Sequence, residues 1–184
     1  MNEDQSRAFR PELRGWSDDI LPFYKAIAHE LPNPCRVVEV GSAHGRSAIF
    51  LASVLLELGH GAMSEIYMVD AWGGGWFAEC LPSIATFATA RELELLRPIR
   101  ATSRQAAAMF GKNIDLVFID GDHSRIGCAD DIDLWWHRTG PNAIFAGHDY
   151  DQHAHPGVVE AVDEGAKRYH ATVERPTRSV WRFR

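Results

Sequence analysis

The chain has 184 residues, of which 46% are hydrophobic and 24% are charged. This length fits one domain, and this composition is typical of a globular protein with a hydrophobic core. The formal net charge of -6 gives no electrostatic reason to expect nucleic-acid binding. No apolar segment is long enough to span a bilayer, and the polar start MNEDQSRAFR is unlike a signal peptide. The three cysteines are scattered and lack metal-site spacing, so we expect free thiols and a cytoplasmic protein.

The spacing of apolar residues predicts short strands that alternate with helices. Helical spacing runs from Trp16 to Leu31, and further helices are predicted at AIFLASVLLELG, from about Ser83, through CADDIDLWWHR and at GVVEAVDEGAKRYH. Strands are predicted in order at RVVEVG, IYMVDAW, LRPIRATS, DLVFID, NAIFAGHDY, HATVER and SVWRFR. This alternation indicates an α/β fold with a doubly wound, mostly parallel sheet. Because a short turn joins the last two strands, one of them should run antiparallel.

Polar and glycine residues collect where the predicted strands end. These positions are Glu39 to Gly41, Asp70 to Trp72, Ser103, Asp120 to His123, and His148 to Tyr150. Ligands of open parallel sheets bind beyond the carboxyl ends of the strands. We therefore predict a single site along this edge of the sheet.

The first strand leads into a glycine turn, VVEVGSAHGRS, in which Gly41 and Gly45 have G-x-x-x-G spacing. Such a turn allows the N-terminal N–H groups of the next helix to meet a polar ligand. Ala43 stands where the dinucleotide fingerprint has its second glycine, which weakens a nicotinamide dinucleotide interpretation. A plain strand–helix turn without a ligand explains this motif equally well.

The end of the second strand favours an adenosine-containing ligand. An acid at the position of Asp70 accepts hydrogen bonds from ribose hydroxyls in doubly wound nucleotide folds. Trp72 follows two residues later, where it can cover an adenine or shape the pocket wall. A carboxylate at this position favours ribose hydroxyls and repels a ribose phosphate.

Four segments taken in order, VVEVGSAHGRSAIFLA, IYMVDAW, DLVFIDGDHS and AIFAGHDY, resemble class I S-adenosylmethionine-dependent methyltransferases. They are more closely similar to a bacterial group related to cephalosporin- and macrolide-tailoring O-methyltransferases. The resemblance covers roughly residues 35–165 and implies a Rossmann-like seven-stranded sheet with the last strand antiparallel. We expect one methyltransferase domain over residues 1–184, with a helical extension at 1–34 and the core at 35–184. The implied enzyme methylates a hydroxyl of a small molecule, such as a natural product or a sugar.

The resemblance also implies roles for individual residues at the cofactor. The methionine end would be lined by Glu39, Gly41, Ser42 and Gly45. Asp70 would bind the ribose, and Ser103 would lie near the adenine. Asp120 would lie beside both the sulfonium and the acceptor.

The acceptor hydroxyl must lose a proton, and two interpretations of this step stay open. In metal-dependent relatives an acid at the Asp120 position joins acidic or amide residues after the fifth strand, where this chain has His148 and Asp149. A divalent cation on these three residues would lower the pKa of the acceptor; oxygen ligands favour Mg²⁺ or Mn²⁺, and an imidazole ligand favours a transition metal. Alternatively, Asp120 works without a metal beside His123 or His148 as the general base. A structural role explains His123 equally well.

Several neighbouring residues have simpler interpretations. Asp122 is expected to cap the following helix or to face solvent, and Trp135 and Trp136 are expected in the core or in an interface. The consecutive glycines at 73–75, followed by two aromatic residues, predict a lid over an apolar acceptor.

Two other classes of function are kept as alternatives, a noncatalytic S-adenosylmethionine-binding protein and a nicotinamide-dependent oxidoreductase. A missing Tyr/Lys catalytic pair weakens the second of these. As partners we expect a small-molecule acceptor, with no nucleic acid and no membrane. Exposed aromatic residues at 72–77 and 135–136 would also support a homodimer or a higher homo-oligomer.

Overall fold

The computed structural model describes residues 18–73 and 76–184, without the side chains of residues 76–78. The helices are α1 (Ile20–Ile27), α2 (Arg46–Glu57), α3 (Trp76–Phe87), α4 (Ala90–Leu93), α5 (Ser103–Ala107), α6 (Arg125–Trp136) and α7 (Pro156–Tyr169), with a 3-10 turn at Ala28–Glu30. The strands are β1 (Arg36–Val40), β2 (Glu65–Asp70), β3 (Leu96–Arg100), β4 (Ile114–Ile119), β5 (Thr139–Gly147), β6 (Val173–Glu174) and β7 (Trp181–Phe183). Among the described residues, no helix is long and apolar enough to cross a membrane.

The seven strands form one sheet in the order β3-β2-β1-β4-β5-β7-β6. The first five strands pair in parallel, and β7 runs antiparallel to both β5 and β6. This confirms the predicted mostly parallel sheet with one reversed strand near its end. The strand order changes direction between β1 and β4, and ligands of doubly wound sheets bind at such a switch point.

Alternate residues of the central strands point into two separate cores, one on each face of the sheet. Val37 and Phe118 pack on the face that carries α1 and α2, whereas Val38 and Val117 pack on the face that carries α6 and α7. All four side chains are fully buried. Because both faces are covered, the strands read as continuous apolar runs, which is typical of parallel sheets.

The limits of some elements differ from those predicted. α1 ends at Ile27 and continues as a 3-10 turn, and residues 16–17 lie outside the described chain. α3 begins at Trp76 rather than near Ser83 and contains Pro82. Proline disfavours a helix interior because it lacks an N–H, but Cys80 and Ile84 lie one turn apart and are both buried in the core. Tertiary packing therefore overrides the local signal.

Of the two tryptophans of α6, Trp135 lies in the core, as expected, and Trp136 packs against the core while remaining partly exposed. Trp135 is fully buried, and Trp136 stacks on Tyr169 with ring centroids 4.7 Å apart. Trp72 is also buried. These residues do not supply the exposed aromatic surface from which we predicted a homo-oligomer, so the oligomeric state stays a prediction without that support. Gly74, Gly75 and the side chains of residues 76–78 lie outside the described part of the chain, and so the lid also stays a prediction.

Candidate active site

A cleft of about 950 Å³ opens at the carboxyl ends of the parallel strands. Eight of the predicted site residues line it together: Gly41, Ser42, Asp70, Ser103, Asp120, His123, His148 and Asp149. Three others, Glu39, Gly45 and Trp72, are not part of its lining. Side chains from positions up to about a hundred residues apart thus meet in one site, because parallel strands end at the same edge of the sheet.

Gly41 lies where the loops after β1 and β4 approach each other most closely. Its φ is +89°, and a Cβ built on it would lie 1.9 Å from the backbone oxygen of Asp120. The backbone N–H of Asp120 in turn donates to Val40 O over 2.7 Å. Only glycine allows this approach, because any side chain would push the two loops apart.

Asp70 holds the glycine turn in place through its carboxylate. Oδ2 accepts a hydrogen bond from the Ala43 N–H over 3.0 Å, and Oδ1 accepts one from the Trp72 N–H over 2.7 Å. The indole N–H of Trp72 donates to Ala43 O over 2.7 Å. Trp72 therefore packs under the loop instead of covering the cleft, whereas Asp70 still lines the cleft.

Glu39 lies beneath the same turn and is almost fully buried, with 1% of its surface exposed. Burial raises the pKa of Glu39 to about 7, although the hydrogen bond from Tyr24 lowers it. Tyr24 Oη–H donates to Glu39 Oε2 over 2.7 Å, and Ser42 Oγ–H donates to Glu39 O over 3.3 Å. These contacts make Glu39 a support for the loop, one layer below the cleft surface.

Ser103 is the first residue of α5, whose start is capped by Thr102. Ser103 Oγ accepts a hydrogen bond from the Trp135 indole N–H over 2.8 Å. Asp131 of α6 is buried beside the same end of the cleft, and burial raises the pKa of its carboxyl to about 6. Sequence patterns did not single out Asp131, because an acid inside an amphipathic helix resembles a solvent-facing one.

At the ends of β4 and β5, one imidazole lies among several carboxylates. His148 Nδ1 lies 3.3 Å from Asp120 Oδ1 and 3.2 Å from Asp149 Oδ1. Burial lowers the pKa of His148, but the hydrogen bonds to both carboxylates outweigh it and raise the pKa to about 11. Burial raises the pKa of Asp120 to about 6, and its contact with His148 opposes this change.

His123 and His155 extend this cluster along the wall of the cleft. His123 Nε2 lies 2.9 Å from Asp149 Oδ2, and His155 Nε2 lies 3.6 Å from Asp149 Oδ1. The hydrogen bond to Asp149 raises the pKa of His123. Although burial raises the pKa of Asp149, hydrogen bonds from His123 and His148 hold it well below its usual range. His123 keeps 45% of its side chain exposed and can meet a bound acceptor.

Asp122 lies at the start of α6, as expected. Its Oδ1 accepts a hydrogen bond from the Ser124 N–H over 2.8 Å, and Ser124 is the residue that caps the helix by accepting from the Gly127 N–H. Asp122 is exposed at the rim of the cleft. Its contacts assign it to the local turn and separate it from the cluster around His148.

Residues 38–150 match the model of a protein family described as a methyltransferase domain. The chain belongs to this family and is a class I S-adenosylmethionine-dependent methyltransferase. No curated protein matches the sequence significantly. The family match decides against the nicotinamide-dependent oxidoreductase that the glycine turn left open.

Several solved structures with a similar fold are methyltransferases of low sequence identity. CalS11, described as a TDP-rhamnose 3'-O-methyltransferase of calicheamicin biosynthesis, has a TM-score of 0.68 at 15% identity, covering 89% of this chain and 76% of CalS11. PaMTH1 from Podospora anserina, solved with S-adenosylhomocysteine bound, has a TM-score of 0.69 at 13% identity, covering 100% and 88%. The O-methyltransferase NovP has a TM-score of 0.61 at 13% identity, covering 90% and 78%. The fold of these three structures is therefore similar to that of the methyltransferase over 89% or more of its chain.

Within residues 18–73 and 76–184, two groups of side chains have donor atoms that are close enough for a cation. The donor atoms of Asp120, His148 and Asp149 lie within 4.8 Å of one another, and so do those of His123, Asp149 and His155. In the first group, however, both ring nitrogens of His148 already face oxygen atoms, since Nε2 lies 2.9 Å from Asp19 Oδ1. A cation could use Nδ1 only after the ring lost its hydrogen bonds to the two carboxylates. With both ring nitrogens engaged in these contacts, His148 offers no free donor atom to a cation. The group predicted to hold a metal therefore does not fit a metal ion.

Some residues of the site were not among those predicted from the sequence. His44 and Arg46 line the cleft from within the glycine turn, and His155 lines it from the start of α7. Asp19 and Ser179 reach His148 from the two ends of the chain. The first two residues lie within the motif VVEVGSAHGRS and were predictable from it. Contacts across more than a hundred residues have no local pattern, and so Asp19 could not be found in this way.

Proposed function

We propose that this methyltransferase transfers the methyl group of S-adenosylmethionine to a hydroxyl oxygen of a small molecule, with His123 as the general base. The observation that carries the proposal is the pair of His123 and Asp149 on the wall of the cleft, 2.9 Å apart and next to Asp120. A histidine oriented by a carboxylate is a common arrangement for proton removal near neutral pH.

We assign the cofactor to the β1–β2–β3 side of the cleft. Asp70 would accept hydrogen bonds from the ribose, the turn at Gly41 and Ser42 would hold the methionine end, and Ser103 would lie near the adenine. Trp72 and Gly45 would act indirectly, by fixing the shape of the turn, and Glu39 by supporting it from below. The assignment is supported by the match of residues 38–150, which includes all of these positions.

The chemistry needs alignment and the removal of one proton. The acceptor oxygen attacks the methyl carbon while the carbon–sulfur bond breaks, and S-adenosylhomocysteine leaves as a neutral thioether. The methyl group of a sulfonium is already activated, so positioning supplies much of the rate. Since His123 Nε2 is paired with Asp149, the ring nitrogen Nδ1 is the atom that takes the hydroxyl proton. Asp149 then stabilises the resulting imidazolium.

The metal-assisted form of this reaction, predicted from Asp120, His148 and Asp149, is less well supported than the metal-free form. It requires His148 to give up the contacts that its ring makes with both carboxylates. The metal-free form uses the contacts as they stand. We therefore propose a proton transfer to His123 without a divalent cation.

The kind of acceptor is supported by the size of the cleft and by the fold relatives. A volume of about 950 Å³ is near the upper end of the usual range for small-molecule sites, which leaves room for a small acceptor beside the cofactor. CalS11 is named for methylation of a sugar hydroxyl, and NovP is named as an O-methyltransferase. We propose a hydroxylated natural product or a sugar as the acceptor.

The proposal is tested by methyl transfer from tritiated S-adenosylmethionine to a panel of hydroxylated natural products and nucleotide sugars. Each reaction is run with and without EDTA, and calorimetry measures the binding of S-adenosylmethionine and of NAD. We expect label on a hydroxyl oxygen of at least one compound at an equal rate with the chelator. Label only on nitrogen, or loss of transfer with EDTA that added Mg²⁺ or Mn²⁺ restores, would contradict it.

A further inference from the structure

His148 has an oxygen partner in every direction in which its ring can form a hydrogen bond. Nδ1 faces Asp120 Oδ1 and Asp149 Oδ1 at 3.3 and 3.2 Å. Nε2 faces Asp19 Oδ1 at 2.9 Å and Ser179 Oγ at 3.1 Å. The ring is 8% exposed, so water does not compete freely for these contacts.

The contacts with Asp19 and Ser179 fix the orientation of the ring. Asp19 lies just before α1, and Ser179 lies two residues before β7. The second oxygen of Asp19, Oδ2, accepts hydrogen bonds from the Ser179 N–H over 3.0 Å and from Ser179 Oγ–H over 2.6 Å. The two residues therefore hold each other as well as the histidine. Together they form a clamp that joins both ends of the described chain to the end of β5.

The partners of His148 decide where its hydrogens must be. A neutral imidazole carries one N–H and one bare nitrogen, and an ionised carboxylate can only accept hydrogen bonds. Whichever nitrogen were bare would then point its lone pair at carboxylate oxygen, which is repulsive. Both nitrogens are satisfied only when both carry hydrogen, that is, when the ring is an imidazolium.

This imidazolium lies between the carboxylates of Asp120 and Asp149. A sequence with two acids and a third ligand at these places would be expected to hold a divalent cation there, because paired carboxylates favour one. In this chain the third residue supplies a positive charge itself. It also supplies directional N–H groups, which an ion does not.

We propose that the His148 imidazolium, clamped by Asp19 and Ser179, takes the place of a divalent cation between Asp120 and Asp149. Asp19 and Ser179 are then positioning residues of the active site. This inference rests on the proposed function, since it explains how the methyltransferase holds Asp120 and Asp149 in place beside His123 without a metal.

The first test is a calorimetric titration of Mn²⁺ and of Zn²⁺ into the purified protein and into its His148→Asp, His148→Asn and His153→Asp variants. His153 is an exposed histidine five residues further along the chain and outside the cleft lining, so it controls for an added carboxylate. We expect neither ion to bind the protein or His153→Asp at a site that is lost in His148→Asn. His148→Asp completes a set of three carboxylates and should bind one Mn²⁺ at least ~10-fold more tightly than the unsubstituted protein.

A second measurement does not depend on how the His148 variant folds. Long-range nitrogen–proton NMR spectra of the unsubstituted protein at pH 8 should show both His148 ring nitrogens protonated, and Asp18→Asn should leave them so. Asp18 is the neighbour of Asp19, but its side chain is 85% exposed and pairs with Arg46. Asp19→Asn should instead weaken protonation at Nε2, because an amide oxygen is a poorer acceptor for a charged donor.

Two results would overturn the inference. One is the stoichiometric binding of Mn²⁺ or Zn²⁺ by the unsubstituted protein, lost in His148→Asn. The other is a neutral His148 ring at pH 8 in the protein freed of metal with chelator. Neither readout uses methyl transfer, so a failure here leaves the proposed O-methylation to be decided by its own assay.

Discussion

The ends of β1 and β2 meet the cleft through a glycine turn that hydrogen bonds to Asp70 hold in shape, whereas the ends of β4 and β5 meet it through a cluster of paired histidines and carboxylates. On the first side, Gly41 passes close to the β4 loop and Asp70 accepts hydrogen bonds from two backbone N–H groups. On the second side, His148 lies within 3.3 Å of two carboxylates. The first arrangement builds a shaped surface, and the second builds a set of charges that can hold or move a proton.

This difference suggests a division of work within the proposed reaction. A surface of backbone and short side chains suits a cofactor that the protein must bind and orient without exchanging protons with it. A cluster of carboxylates and imidazoles suits the proton of the acceptor. Substitutions on the two sides should therefore change different quantities, binding on the first side and turnover on the second.

The largest expected effect is that of His123→Asn. Loss of a general base typically lowers kcat by about 10²- to 10⁴-fold, and we expect the KM for S-adenosylmethionine to change little. Methyl transfer at saturating cofactor measures this effect, with His153→Asn as the control because that residue is exposed and outside the cleft lining. An equal fall in the control, or a kcat that does not change in His123→Asn, would remove His123 from the mechanism.

The pH profile of the unsubstituted enzyme gives a related prediction. The base must be neutral to take a proton, so kcat should rise with pH through the pKa of His123. Because the hydrogen bond to Asp149 raises that pKa, the midpoint of the rise should lie above the ordinary value of 6.5. A profile that has already levelled off below pH 6 would argue against His123 as the base.

Gly41→Ala should have the next largest effect, on the side of the cleft that is built from backbone. The added Cβ would lie 1.9 Å from Asp120 O, and the clash together with the positive φ should cost about 3 kcal/mol of stability. Gly59→Ala isolates the positive φ, since Gly59 has a φ of +83° and no described atom lies within 4 Å of its built Cβ. Urea unfolding gives the free energy of unfolding of both variants, and Gly41→Ala should lose more of it than Gly59→Ala. Equal losses would show that the close approach to Asp120 does not matter.

Glu39→Gln should have a smaller and pH-dependent effect. The carboxyl of Glu39 has a pKa of about 7 in the folded protein, above its ordinary value of 4.5. Its contribution to stability is thus complete below pH 4.5 and is lost as the pH rises through about 7, a loss of order 3 kcal/mol. Urea unfolding at pH 5 and pH 8 should show that Glu39→Gln lacks this loss. Exposed Glu57→Gln should retain it, and an equal pH dependence in all three proteins would contradict the interpretation.

The sequence predicted which residues lie at the cleft better than it predicted their contacts. Gly41 and Asp70 follow strands with clear apolar patterns, and the roles of such positions depend on local geometry. Trp72 shows the limit of this approach, because its indole could equally lie over a ligand or under a loop, and only the contact with Ala43 O distinguishes them. The contact between Asp19 and His148 joins residues more than a hundred positions apart. The spacing of residues along the sequence does not predict such a contact.

The most direct test of the division between the two sides is a calorimetric titration of S-adenosylhomocysteine into the unsubstituted protein, Asp70→Asn and His123→Asn. We predict one binding site, an affinity about tenfold weaker in Asp70→Asn because the turn and the ribose lose a charged acceptor, and an affinity within about twofold of the unsubstituted protein in His123→Asn. Equal weakening in both variants, or no binding to the unsubstituted protein, would contradict the account.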